Sequence, residues 1–243
     1  MLACPTMTTL LINTIYRATE GEGVQLGSPQ VFIRFQGCAI GCMNCDSKET
    51  WDFDTNKSME LETVLAKVDE LANQGRWPLR RVSITGGDPL HPQHVPGLIE
   101  LMIDLKLKGY WINLEAAGSR IVDEAFKAAD YISFDFKTPS TGVRTSSELL
   151  ARFITEFGHK GQVKAVIADN ADFGAAYEAR RQIDEKIGPH PIPWVLTPCY
   201  SPGEKMPMKR FQEVTRLNED WGAPFRVIGQ QHKWLYGVDA KNV

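Results

Sequence analysis

Seven short runs rich in β-branched and aromatic residues recur along this chain, and helical periodicity fills most of the gaps between them. That alternation limits the fold more than any other feature. The runs are VFIRF (31–35), RVSIT (81–85), YWINLE (110–115), YISFDF (131–136), QVKAVI (162–167), IPWVL (192–196) and PFRVI (224–228). The clearest helix is SMELETVLAKVDELANQG (58–75): Ser58 can cap its start, Leu61, Val64, Leu65, Val68 and Leu71 form one apolar face, and Gly75 can end it. Further helices are expected at about 95–108, 145–157, 171–187 and 207–221. Repeated βα units imply parallel strands joined by right-handed crossovers. Six or seven strands are too few to close an eight-stranded barrel, so the expected form is an α/β partial (β/α) barrel with parallel strands, built as a single domain over residues 1–243.

Composition sets the boundaries of function. With 243 residues, 43% of them hydrophobic, the chain can bury a sizeable core, and a net charge of only -3 gives no reason to expect a nucleic-acid or polyanionic partner. No apolar run approaches the roughly 18 residues of a membrane span, and the opening MLACPTMTTLLINTIY lacks a basic n-region. A cytoplasmic location is therefore expected. Five cysteines, an odd number and unevenly spread, give no disulfide framework and favour metal or redox chemistry.

In a fold of this kind the chemistry belongs at the C-terminal ends of the strands. The distinctive motifs fall there: GCAIGCMNCDS after the first run, TGGDP (85–89) after the second, and EAAG (115–118) and DFKTP (135–139) after the next two. Cys38, Cys42 and Cys45 have the spacing C-x3-C-x2-C, and thiolates so spaced can each hold a different iron of one [4Fe-4S] cluster, leaving the fourth iron without a protein ligand. The alternative is a zinc site completed from a distance, by Cys199 or a histidine. Gly37 and Gly41 permit tight turns around the cysteines. Cys4 and Cys199 take no assigned role.

The three-cysteine spacing followed by a Gly-Gly-acid-Pro motif is similar to that of the radical S-adenosylmethionine superfamily. Within it, ATEGEG (18–23), Arg34 in FIRFQGC, Ser47 in CDS and QQHKWL (230–235) resemble the 7-carboxy-7-deazaguanine synthase family. The resemblance implies a radical SAM type of partial barrel and three cofactors: a [4Fe-4S] cluster on Cys38, Cys42 and Cys45, S-adenosyl-L-methionine (SAM), and Mg2+ on Ser47. It implies SAM contacts from Asn44, Cys45, Asp46, Gly86, Gly87, Asp88, Asp135 and Lys137. It implies substrate contacts from Thr19, Glu20, Gly21, Glu22, Arg34, Thr85, Glu115, Gln230, His232 and Val243. Beyond cluster and cofactor, no side chain is expected to be catalytic. The implied reaction is a radical ring contraction of 6-carboxy-5,6,7,8-tetrahydropterin to 7-carboxy-7-deazaguanine, with loss of ammonia, in queuosine biosynthesis.

Each role has its chemistry. A carboxylate substrate calls for a cation, and Arg34 can offer a two-point fork. Carboxylates such as Glu20, Glu22 and Glu115 suit the row of NH groups on an aminopyrimidinone. A serine hydroxyl suits magnesium, which takes few protein ligands and keeps water or substrate for the rest. Three positions depart from the resembled pattern: Asp88 stands for Glu, Asp135-Phe136-Lys137 for Ser-Pro-Lys, and Glu20 where Gln is frequent. Ser133 is an alternative donor near Asp135. Segments at about 13–30 and 229–243 are expected to close over the substrate. The resemblance further implies a homodimer and an electron donor such as a flavodoxin. Two other functions share the cysteine motif: an activating enzyme acting on a partner protein, and a non-catalytic zinc-binding domain.

Overall fold

Strands form where the apolar runs place them, and two more precede and interrupt the series. The computed structural model describes residues 7–200, 204 and 206–243, so Cys4 lies outside the described residues. The strands are β1 (Thr9–Thr19), β2 (Pro29–Phe35), β3 (Ser58–Glu60), β4 (Arg81–Gly86), β5 (Trp111–Ala116), β6 (Tyr131–Asp135), β7 (Gly161–Ile167), β8 (Trp194–Pro198) and β9 (Arg226–Val227). The helices are α1 (Leu61–Ala72), α2 (Val95–Leu107), α3 (Asp123–Ala128), α4 (Ser147–Phe157), α5 (Asn170–Ile187), α6 (Met208–Asp220) and α7 (Gln231–Tyr236).

Among the described residues all strands join one sheet in the order β3-β1-β2-β4-β5-β6-β7-β8-β9. From β2 through β9 every neighbouring pair is parallel, and β1 runs antiparallel to both β2 and β3. Sequential order with a helix at each crossover is the winding of a barrel, not of a doubly wound sheet, so the expected partial barrel is what forms.

The pleat sorts side chains into two sets. Val82, Ile84, Ile112, Leu114, Ile132 and Phe134 are fully buried among apolar neighbours, including Leu98, Leu101, Met102 and Leu105 of α2 and Phe153 of α4. The alternate positions, Ser83, Thr85, Asn113, Glu115, Ser133, Gln162 and Lys164, share the opposite face and are polar. Register aligns them across strands: Arg34 with Thr85, Glu115 with Ser133, Asp135 with Lys164. The concave face of the sheet is thus lined with polar groups before any loop is added.

Local expectations meet tertiary pairing at several points. Ser58 does not cap a helix: Ser58–Glu60 pair with Thr9–Leu11, Leu61 N donates to Thr8 O at 3.0 Å, and Glu60 becomes the N-cap. The free edge of β1 offers the backbone partners that a capping side chain would otherwise supply. The helix ends at Ala72, capped by Asn73, and Gly75 instead leaves room for the Arg17 guanidinium. PFRVI shortens to the two residues of β9. Of the segment 13–30, residues up to Thr19 belong to β1 and are part of the sheet. Among the described residues no helix is long and apolar enough to cross a membrane.

Asp172, fully buried near the start of α5, accepts from Ser140 N at 2.9 Å and Ala168 N at 2.8 Å. It thereby fixes two rim loops. Asp172→Ala should cost about 2–4 kcal/mol in urea unfolding, since two partly buried amides lose their acceptor. A change below about 1 kcal/mol would show that these amides find other partners.

Candidate functional site

The loop that carries the three cysteines is pinned at its base. Gly37 N donates to Thr50 O at 2.7 Å and Cys38 N to Trp51 O at 3.0 Å. Cys38, Cys42 and Cys45 are half-buried free thiols on this loop. Cys45 Sγ already accepts from Ser47 N at 3.4 Å. Burial raises the pKa of the Cys38 and Cys42 thiols, and the Lys137 ammonium opposes that shift at Cys42. Three partly accessible sulfurs on one loop, beside a cation, are a donor set that fits an iron-sulfur cluster bound from one side. A cluster asks each thiol for a different iron, and among the described residues no three His, Cys, Asp or Glu side chains, these thiols included, converge on one metal position; Cys199 turns its thiol to Tyr200 O at 3.3 Å.

The neighbouring loops close on this one. Gly86 has a φ of 100°, and a Cβ on Gly87 would collide with the Gly37 carbonyl oxygen. That close approach lets Asp88 N donate to Gly37 O at 2.9 Å. A Cβ on Gly118 would strike Asp135 O, so EAAG sits directly on the end of β6. Met43 N donates to Thr141 O at 2.9 Å, which ties the cysteine loop to the segment after DFKTP. The four motifs therefore do converge on one rim.

Within the rim, Lys137 Nζ pairs with Asp135 Oδ2 at 2.8 Å. Asp88 is almost fully buried, accepting from Leu90 N at 3.2 Å through Oδ1 and lying 3.5 Å from Arg120 Nη2 through Oδ2. Burial raises its pKa, and Arg120 opposes the shift. Asp88 is therefore already engaged by its own turn and by Arg120. Asn44 and Asp46 are exposed on the cysteine loop. Ser133 lies deeper, its hydroxyl accepting from Gln162 Nε2 at 2.9 Å.

Below the rim, a small polar pocket lies among Glu20, Glu22, Glu115, Ser133, Gln162 and Lys164. Arg34 stands at its edge, donating from Nη2 to Tyr16 Oη at 2.9 Å and from Nη1 to Ser47 Oγ at 3.1 Å. Tyr16 is held for this by stacking on Phe32, with ring centroids 5.1 Å apart. Thr85 Oγ1 donates to Glu115 Oε2 at 3.0 Å, and Gln30 Nε2 donates to Glu20 Oε2 at 2.8 Å. Glu22 accepts from Lys164 Nζ at 2.8 Å on one oxygen and from Gln230 Nε2 at 2.6 Å on the other.

The carboxyls differ in charge state for physical reasons. Burial, with Glu115 nearby, pushes Glu20 up to about 8. Burial likewise raises Glu115, with Glu22 and Asp135 adding to the shift and Lys164 opposing it. Burial would raise Glu22 too, but the Lys164 ion pair and the Gln230 hydrogen bond bring it down to about 2. One pocket thus holds a fixed anion beside two carboxyls pressed toward neutrality.

The C-terminal segment packs against the loop that carries Gly21 and Glu22. Gln231 N donates to Gly21 O at 2.9 Å, and a Cβ on Gly21 would collide with the His232 ring. The middle glycine of EGEG is thereby explained by contact with a residue over two hundred positions away. Lys241 Nζ donates to Asp46 O at 2.5 Å and lies 3.3 Å from Glu49 Oε1. Thr19 is exposed at the end of β1, and among the described residues no hydrogen bond or ion pair of Thr19's side chain or of Val243 reaches the pocket. Tyr16, Gln30, Arg120, Gln162 and Lys164 belong to the site without having been singled out by sequence. The signal for Lys164 was present, as a charged residue inside an apolar strand run.

Comparison with known proteins adds the family context. A family described as "4Fe-4S single cluster domain" matches residues 19–115. A 7-carboxy-7-deazaguanine synthase of Pyrobaculum aerophilum is 35% identical over 131 residues, covering 54% of this chain and 56% of that protein. The corresponding Koribacter versatilis protein is 32% identical over 172 residues, covering 70% of each. The chain spans about half the length of the first of these curated relatives. In three dimensions the crystal structure of QueE from Escherichia coli matches with a TM-score of 0.68 at 22% identity, over 92% of this chain and 95% of that one, which supports the fold.

Glu20 makes a testable statement about pH. Its folded pKa of about 8 exceeds the ordinary carboxyl value, so its contribution to stability is full below about pH 4 and is lost as pH rises toward about 8. Relative to the parent chain, Glu20→Gln should unfold at progressively higher temperature as pH goes from about 5 to about 8. A difference that stays constant over that range would show that Glu20 ionises normally.

Proposed function

The chain belongs to the 7-carboxy-7-deazaguanine synthase family, and from that premise we propose that it converts 6-carboxy-5,6,7,8-tetrahydropterin to 7-carboxy-7-deazaguanine with loss of ammonia. The observation that carries this reading is the pairing of one guanidinium, Arg34, with an enclosed set of carboxyls under a loop of three thiols. A bicyclic substrate with a carboxylate at one end and a row of NH groups at the other matches that polarity.

Held by Cys38, Cys42 and Cys45, a [4Fe-4S] cluster with bound SAM would supply the carbon-centred radical that removes a substrate hydrogen. Gly86 and Gly87 would admit the cofactor's amino-acid end to the backbone, with Asn44, Cys45, Asp46, Asp135 and Lys137 around it. Asp88 would serve that site through Oδ2, which lies 3.5 Å from Arg120 Nη2 and accepts no hydrogen bond among the described residues, while Leu90 N holds Oδ1.

The remaining work is done by the chain's own groups. Arg34 exchanges Tyr16 and Ser47 for the substrate carboxylate, keeping its two donors parallel. Glu22, ionised and held on both oxygens, accepts from the pyrimidinone edge. Glu20 and Glu115, pressed toward their neutral forms, can both donate and accept. Thr85 orients Glu115, while Gln230 and His232 complete the wall next to Gly21 and exclude water. The Ser47 hydroxyl accepts from Arg34 and donates to Asp46 Oδ1 at 3.1 Å, leaving one lone pair for a Mg2+ that would keep its other positions for water and substrate. The C-terminal residues from about 229, together with the loop at 20–28, form the closing segments. A cytoplasmic homodimer reduced by a flavodoxin-like donor completes the proposal on family grounds.

Anaerobic turnover of reconstituted protein with the pterin, SAM, Mg2+ and a strong reductant, read by mass spectrometry, tests this directly. Formation of 7-carboxy-7-deazaguanine without stoichiometric consumption of SAM is expected; 5'-deoxyadenosine alone would overturn the substrate assignment. Cys42→Ala should lose iron and all turnover. Arg34→Ala should keep its iron and raise KM, with binding weakened by about 2–5 kcal/mol. A kinetically silent Arg34→Ala would mean the substrate is oriented otherwise.

A further inference from the structure

We propose that Lys164 is a positioning residue of this site, which acts through Glu22 to hold Gln230 and the C-terminal helix α7 over the pocket. The proposal rests on reading the pocket as the pterin site.

Lys164 enters the interior from the middle of β7, directly opposite Asp135 in the register of β6. Its side chain is only 12% exposed. A lysine so placed must be paired, because an isolated ammonium cannot be buried cheaply. It meets Glu22 Oε2 at 2.8 Å and Asp135 Oδ1 at 3.8 Å. Asp135 is already committed to Lys137 through its other oxygen, so Glu22 is the main partner.

Glu22 passes the restraint on. Its second oxygen accepts from Gln230 Nε2 at 2.6 Å, and Gln230 is the residue at the N-cap of α7. The next residue, Gln231, donates its backbone N–H to Gly21 O, one position before Glu22. A strand of the sheet, the loop after β1 and the last described helix are thereby joined through a single carboxylate whose two oxygens take different partners. Burial alone would favour a proton on Glu22, and the Lys164 charge is the largest influence against it. The other charged groups facing this pair are Glu20, Glu115 of β5, Asp135 and Lys137 around β6, and His232 of α7. Without Lys164 the cation in contact with Glu22 is gone while burial and the neighbouring carboxyls still favour its neutral form, so Glu22 would take up a proton more readily. A protonated Glu22 is a weaker acceptor for Gln230 and for the substrate's NH groups.

The test compares Lys164→Met and Lys164→Arg with the parent holoenzyme. Without substrate, hydrogen exchange of residues 231–236 should speed up by about tenfold or more in Lys164→Met and return toward the parent rate in Lys164→Arg. With substrate, Lys164→Met should raise KM by about tenfold or more while kcat changes less. That KM should fall again as pH rises and Glu22 ionises, whereas the parent shows no such recovery. Unchanged exchange in α7, or a loss confined to kcat, would overturn the proposal. If Lys164→Met does not fold, Lys164→Met/Glu22→Gln, which buries no unpaired charge, is compared with Glu22→Gln alone. Equal exchange in α7 is then expected, because Lys164 acts only through the Glu22 charge; faster exchange in the double variant would overturn it. Should the parent chain make no 7-carboxy-7-deazaguanine while α7 still loosens in Lys164→Met, the proposed function falls and the role of Lys164 stands.

Discussion

Charge buried on the concave face of the sheet has to be matched group by group, and most of this structure can be read as the consequence. Strand alternation sends one set of residues to the apolar helix layer and the other to a shared interior. In β4 through β7 that second set is polar, so the interior contains Glu115, Asp135 and Lys164 before any loop contributes. Such groups are tolerable only when hydrogen-bonded or paired. The network from Thr85 through Glu115 and from Asp135 through Lys164 to Glu22 meets that requirement. It also leaves the carboxyls with different affinities for protons, which gives the pocket its directional polarity.

The rim follows from a second constraint, the close approach of backbones. Gly87 against Gly37, Gly118 against Asp135 and Gly21 against His232 are three places where a Cβ has no room. Each brings two loops from different strands into direct contact. The cysteine loop, the Gly-Gly turn and the ends of β5 and β6 are consequently one connected surface. The C-terminal segment reaches it as well, through Gln231 to Gly21 and Lys241 to Asp46.

The sequence exposed much of this because the helix-facing positions of the parallel strands keep strong apolar signals, and because cysteine spacing and paired glycines carry their own chemistry. The seven runs correspond to the seven parallel strands, and Arg34 drew notice as a charge within one of them. β1 escaped because its pairing with β2 shifts register between Ile12 and Thr14, which breaks the alternation that marks a strand. Ser58 misled because a free strand edge outcompeted a helix cap. Lys164 and Tyr16 could not be assigned partners from sequence, since Glu22 lies 142 positions from Lys164 and only folding brings them together. Asp88 matched a motif, and its approach to Arg120 at 3.5 Å is a contact no local pattern encodes.

The central claim is that the substrate lies between Arg34 and Glu22, with its carboxylate on the guanidinium and its NH edge on the fixed anion. An anaerobic crystal structure of the reconstituted protein with SAM and 6-carboxytetrahydropterin tests this most directly. The account predicts that Arg34 leaves Tyr16 for a two-point contact with the carboxylate while Lys164, Glu22 and Gln230 keep their present contacts. A pterin bound the other way round, or an Arg34 still engaged with Tyr16 and Ser47 beside a bound substrate, would contradict it.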